Sequence, residues 1–267
     1  LGIVASPAAD MLKNSDGTEI FKTTRHLIAR ERVRHAGDTV AMIVAETLNQ
    51  ARDAADLLVI DYESLPAVAD TAGALAPDAP IVWEENGSNL AYDWSLGKED
   101  AVAEAMKQAH HVTRLKLVNN RIVVNAMEPR AALGVYDASD DRYTLYSPSQ
   151  GVHSMRNYIA QFSLNIPVEK LRVVTDDVGG GFGMKTFVYP EYPLVLFAAR
   201  KLGRPVKWTA DRSDSFLTDS QGRDHVTEAA LALGAAGHIL GVEVATIANR
   251  GGYQSQGGMW RGSAAAA

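Results

Sequence analysis

The stretch Val178-Gly179-Gly180-Gly181-Phe182-Gly183-Met184-Lys185 gathers four glycines around one aromatic residue. Glycine has no Cβ, so such a loop can turn through left-handed conformations and bring its N–H groups close to a ligand. The short run Leu171-Arg172-Val173-Val174 before it reads as a strand. The apolar run at 191–202 after it reads as a helix, with Pro193 in the first turn and Gly203 just past the end. Strand, glycine loop and helix in that order can surround an anion or the polar edge of a cofactor. Tight turns and close packing are the plainer reading of the same glycines. The dinucleotide pattern G-x-G-x-x-G fails, because Met184 stands where its last glycine belongs. The P-loop pattern G-x-x-x-x-G-K-[ST] is met at Gly179, Lys185 and Thr186 and broken at the same Met184, where the backbone must approach a phosphate. Leu57-Leu58-Val59-Ile60-Asp61 resembles an apolar strand ending in a Mg²⁺-holding Asp, although it lies upstream of the loop. A P-loop-like nucleotide hydrolase therefore stands as an alternative.

Outward from the loop, the pattern is that of an α+β chain. Residues 37–70 form a β-α-β unit: a buried strand at 39–45, a helix over 51–57 opened by the capping-box pair Thr47 and Gln50, and a second strand at 58–63 closed by Pro66. Residues 70–97 lack periodicity and read as a connection. Helical spacing over 101–109 is followed by an alternating strand at 112–118, and further strands are expected at 121–125, 130–136 and 142–146. A helix over 152–164 is stopped by Asn165-Ile166-Pro167. The runs 225–233 and 238–248 form a hairpin around Gly234-Ala235-Ala236-Gly237. The domains expected are 1–72, a connecting segment 73–97, and 98–267.

Composition narrows the function. The 267 residues carry 26 basic and 32 acidic side chains, a formal net charge of −6, which argues against a nucleic-acid partner. No run is long and apolar enough for a membrane span, and the opening residues 1–6 lack a secretory pattern, so a cytoplasmic location is expected. There is no cysteine, hence no disulfide, thiol nucleophile or cysteine-held iron–sulfur cluster in this sequence. The seven histidines form no ligand-spaced cluster, and no metal ligands are assigned. The apolar residues 1–5 at one end and the run from Met259 to four closing alanines at the other suggest a fragment.

The glycine stretch, with Ser149-Gln150 before it and Arg204-Pro205-Val206-Lys207-Trp208 and Asp211-Arg212 after it, resembles the molybdenum-pterin subunit of the xanthine dehydrogenase, aldehyde oxidase and aerobic carbon monoxide dehydrogenase family. Residues 36–41 and 61–68 are similar to that family's α/β hammerhead domain, and Met127-Glu128-Pro129-Arg130 shares its pattern. The resemblance implies a hammerhead-like domain followed by the first part of a mixed α/β molybdopterin-binding domain. It implies a molybdenum-molybdopterin cofactor, in the cytosine dinucleotide form, and hydroxylation of an aldehyde, an N-heterocycle or a similar small molecule. Electrons would pass to an iron–sulfur subunit and a flavin (FAD) subunit, with the remainder of the large subunit as a further partner.

Residue by residue, the resemblance places Gln150 beside an oxo ligand of the metal, and Gly180, Gly181, Phe182 and Gly183 around the metal-pterin centre. An amide donates without competing as a ligand. The spacing from Gln150 to Phe182 is one residue longer than the family pattern, and the extra residue is placed in the helix near 157–165. Purine-oxidising members carry Glu where this sequence has Thr186, which argues against xanthine. The family's catalytic Glu lies near the end of a much longer subunit, so no catalytic residue is assigned here. Glu128 and Glu191 read as structural; Arg212 and Arg223 are placed to contact a cofactor phosphate or, on the plainer reading, to form surface ion pairs. A third alternative is an inactive scaffold half of a split subunit.

Overall fold

The computed structural model describes residues 1–4 and 12–254; the chain's last residues, Met259 onward, and Ala5 lie outside that range. In chain order the elements are β1 (Ile3–Val4), β2 (Arg25–His26), α1 (Leu48–Asp56), α2 (Glu99–Gln108), β3 (His111–Asn119), β4 (Ala131–Asp137), β5 (Arg142–Tyr146) and α3 (Val152–Tyr158). The last runs directly into a π-helical segment, Ile159–Leu164. Then come β6 (Leu171–Val174), α4 (Glu191–Leu202), β7 (Val206–Thr209), α5 (Arg212–Thr218), β8 (His225–Leu233) and β9 (Ile239–Ala248). Among the described residues no helix is long and apolar enough to cross a membrane.

Contacts gather residues 1–4, 24–65 and 123–220 into one unit and residues 12–23, 66–122 and 221–254 into a second. The first is built on a four-stranded sheet in the order β6-β5-β4-β7, in which β5 and β6 run parallel and the other pairs antiparallel. Helix α4 covers this sheet with Tyr192, Val195, Leu196 and Ala199, all buried. The approach is so close that a Cβ on Gly134 of β4 would stand 2.7 Å from the Val195 backbone. Gly203 ends the helix in the left-handed conformation, φ +63°, as expected of a glycine C-cap. The second unit is the antiparallel sheet β3-β8-β9, with β8 and β9 joined at the expected turn by Gly234 N–H to the His238 carbonyl.

Three strand expectations are corrected. Residues 39–45 and 58–63 form no ladder, although helix α1 between them carries the expected capping box at Thr47 and Gln50. A cap is a local bond and forms from local sequence, whereas a strand exists only where a neighbour pairs with it. Leu57 and Val59 are accordingly 82% and 91% exposed. Residues 121–125 give a single bridge, Ile122 to Gly222, and then break at Asn125, whose φ is +49°. The helix at 152–164 is α only as far as Tyr158, and its π-helical second half takes up one residue more than an α-helix would over the same span. Asn165 closes the π segment with φ +53°.

Candidate functional site

Parallel β5 and β6 end side by side, with Tyr146 opposite Val174. The segments leaving them, 147–151 and 175–183, therefore emerge at one sheet edge, the position at which parallel strands present ligand-binding loops. They are tied at the root by Thr175 Oγ1, which donates to the Ser147 carbonyl at 2.6 Å and accepts from Ser149 N–H at 2.9 Å. The glycine loop that follows turns on three left-handed residues: Gly180 (φ +98°), Phe182 (φ +48°) and Gly183 (φ +88°). Phe182 is the one that bears a side chain, which is a strained state for an aromatic residue, and it stands 76% exposed at the loop tip.

Gln150 lies against this loop. Its Oε1 accepts from Gly183 N–H at 2.9 Å, and its backbone N–H donates to the Lys185 carbonyl at 3.1 Å. A Cβ on Gly181 would meet Gln150 Oε1, Cδ and Cγ at 2.5, 2.6 and 2.9 Å, so glycine at 181 is required by space. The Gln150 amino group and the backbone N–H groups of Gly180, Gly181 and Phe182 have no hydrogen-bond partner among the described residues. The five sequence-predicted residues, Gln150, Gly180, Gly181, Phe182 and Gly183, are therefore brought together. They present donors, and the glycines give this packing its room: a Cβ on Gly181 would run into Gln150, and one on Gly180 would stand 3.0 Å from the Phe182 ring.

The loop is anchored from below by a pair the sequence reading did not join. Lys185 is fully buried, and its Nζ lies 2.6 Å from Glu128 Oε2. The same carboxylate oxygen accepts from Gly179 N–H at 2.9 Å, while Glu128 N–H donates to the Gly179 carbonyl at 3.0 Å. Burial pushes the Glu128 carboxyl up, but the hydrogen bonds from Lys185 and Gly179 and the Lys185 charge together hold it below the usual carboxylate range. Next to it, fully buried Arg130 pairs with Glu191 at 2.9 Å and Asp219 at 2.5 Å, donates to Thr218 Oγ1 at 2.7 Å, and lies 3.8 Å from the Tyr189 ring centre. Tyr189, its phenol pushed up to about 12 by burial, donates to the Met184 carbonyl and accepts from Ser220 N–H.

These contacts decide two earlier readings. Glu128 and Glu191 are structural, as expected. The P-loop alternative fails: Lys185 is spent on Glu128, the loop runs into the three-residue 3-10 turn Met184–Thr186 with α4 starting only at Glu191, and no strand forms at 57–61. Arg212 corrects its expectation too, donating to Asn125 Oδ1 and to the Ala126 and Met127 carbonyls, all neutral groups that fix the backbone just before Glu128. The signal for Lys185 was present as a cation after a glycine loop; nothing local disclosed a partner 57 residues away.

Among the described residues no group of three or more His, Asp or Glu side chains converges as a metal ligand set. The site offers donors for acceptor-rich atoms, and this fits a metal carried in by an organic cofactor with its own oxygen and sulfur atoms.

A family model described as "Molybdopterin cofactor-binding domain" matches residues 82–266, and one described as "Aldehyde oxidase and xanthine dehydrogenase, a/b hammerhead domain" matches residues 3–66. The chain is 31% identical over 241 residues to the carbon monoxide dehydrogenase large chain of Hydrogenophaga pseudoflava, covering 86% of this chain and 30% of that one. It is 34% identical over 230 residues to the 6-hydroxypseudooxynicotine dehydrogenase complex subunit gamma of Paenarthrobacter nicotinovorans, covering 86% and 28%. Among solved structures, quinoline 2-oxidoreductase from Pseudomonas putida 86 superposes with a TM-score of 0.77 at 28% identity, covering 92% of this chain and 32% of that one. The chain thus spans about 30% of the length of the relatives it matches.

Proposed function

Because this chain belongs to the molybdopterin cofactor-binding family, whose model matches residues 82–266, we propose that its glycine loop and Gln150 hold a molybdenum-pterin cofactor in an oxidoreductase of the hydroxylase type. The observation that carries this reading is the adjacency of Gln150 to the loop, with the Gln150 amino group and the backbone N–H groups of Gly180, Gly181 and Phe182 as four donors that have no hydrogen-bond partner among the described residues. When bound, the cofactor supplies a two-electron acceptor and a place for a water-derived oxygen. The protein's part at this edge is to orient and to exclude. Gln150 and the loop N–H groups hold acceptor atoms of the cofactor, and exposed Phe182 offers an apolar wall beside them.

The substrate is an aldehyde, an N-heterocycle or a similar small molecule. The name of the quinoline 2-oxidoreductase relative favours a heterocycle. Thr186, exposed where purine oxidisers place Glu, supplies no carboxylate for a purine nitrogen. The proposal includes the cytosine dinucleotide form of the pterin, a catalytic base outside residues 1–267, and electron transfer to iron–sulfur and FAD subunits, since no cysteine here could hold a cluster. It keeps the division into a hammerhead-like domain at 1–72, a connection at 73–97 and a cofactor domain from 98, which the two family matches at 3–66 and 82–266 support. It also places the protein in the cytoplasm, which cell fractionation checks.

The test is turnover of an aldehyde, N-heterocycle and carbon monoxide panel by the full-length assembled protein in H₂¹⁸O with an artificial electron acceptor. The expected product carries the water oxygen. Oxygen drawn from O₂, or a fully assembled protein inert to the whole panel, contradicts the reading.

A further inference from the structure

A carboxamide has two ends of similar shape and opposite hydrogen-bonding character, so a glutamine aimed at a ligand recognises donors or acceptors depending on which way it is turned. At Gln150 three contacts leave one choice. The Gly183 N–H can only donate, and the Gln150 atom 2.9 Å from it must therefore be the carbonyl oxygen. Gly183 holds that N–H in place from a left-handed conformation, φ +88°, a state a side-chain-bearing residue adopts only under strain. The side chain can take this pose only because residue 181 is glycine: a Cβ there would stand 2.5, 2.6 and 2.9 Å from Gln150 Oε1, Cδ and Cγ. The Gln150 backbone is pinned in turn through its N–H to the Lys185 carbonyl, and Lys185 is itself locked on Glu128.

We propose that Gly183 and Gly181 are positioning residues that set the polarity of the Gln150 carboxamide, turning its carbonyl onto the loop and its amino group outward as an obligatory donor. This rests on the cofactor reading above for what the donor meets, an acceptor oxygen of the metal-pterin group, but not for how the amide is turned. One consequence is that the Gly183 N–H serves Gln150 and not the cofactor. The loop's donors to the cofactor are then Gly180, Gly181 and Phe182.

The test uses Gln150→Glu, Gln150→Ala and Gly181→Ala in the full-length assembled protein, with two readouts. The first is hydrogen exchange at the Gly183 amide, which does not depend on turnover. A carboxylate at 150 can still accept from Gly183, so Gln150→Glu keeps its protection, while Gln150→Ala and Gly181→Ala lose about tenfold or more. The second is kcat at measured molybdenum content. Gln150→Glu replaces the outward donor by an acceptor, so kcat falls about 100-fold with the cofactor retained, the usual loss of one oriented donor. Equal exchange in wild type and Gln150→Ala overturns the proposal, as does full activity in Gln150→Glu. A wild-type protein carrying neither molybdenum nor pterin defeats the cofactor reading alone; the exchange arm then still decides how the amide is held.

Discussion

The glycine-loop region and the region around helix α1 look alike as sequence, each an apolar run, a turn signal and a helix, yet they fold to different degrees. Around α1 the bonds are local: the Thr47–Gln50 capping box closes on itself, no residue of the helix is buried, and the flanking runs find no partner strand among the described residues. Around the loop the main side-chain anchors are long-range. Lys185 reaches Glu128, Gly183 reaches Gln150, and Arg130 reaches Glu191 and Asp219, through side chains of which two, Arg130 and Lys185, are fully buried cations. Local signals suffice to start a helix. A binding edge is made rigid by contacts that close large loops of chain, and those contacts set which backbone donors face outward.

The contrast breaks hardest at Arg130. Arg130→Ala leaves the Glu191 and Asp219 carboxylates without their shared cation, and should cost about 4 kcal/mol in urea unfolding of the full-length protein. Glu128→Ala comes next at about 3 kcal/mol, because it strands a fully buried ammonium. Lys185→Met should cost about half of that, since the carboxylate it leaves behind reaches solvent and keeps the Gly179 N–H. Finding Lys185→Met the more damaging of the two would contradict the assignment of Glu128 as the solvent-facing partner. The pair also has a pH signature. Glu128 ionises below the usual carboxylate range in the fold, so its stabilisation is present above that range and disappears as pH falls through the lowered value. The stability gap between wild type and Lys185→Met should therefore narrow below about pH 4. At the other end, Thr47→Ala should cost about 1 kcal/mol, confined to α1, and leave amide exchange in the loop unchanged. A change in the loop on losing that cap would show the two regions to be coupled.

Much of the fold was legible because its signals are short-range. Strands β5, β6 and β8, helix α4 with its Gly203 cap, and the Thr47 capping box lie where periodicity and turn residues put them. The strands expected at 39–45 and 58–63 were not distinguishable in sequence from real ones, since β-branched apolar runs say nothing about whether a neighbour arrives. In the site, the adjacency of Gln150 and the glycines was suggested by a family resemblance; the π-helical segment of residues 159–164 was not legible, because its apolar pattern reads as an ordinary α-helix. The foundation was not legible. Arg130 and Asp219 are 89 residues apart, and no spacing rule connects them.

The most direct test is molybdenum and pterin analysis of the full-length assembled protein beside a Gly180→Val, Gly181→Val double variant. Stoichiometric molybdenum and pterin in the wild type, and their loss from a variant that still folds, is the expected result. A fully folded and assembled wild type containing neither, or an equally loaded variant, would contradict the placement of the cofactor at this loop.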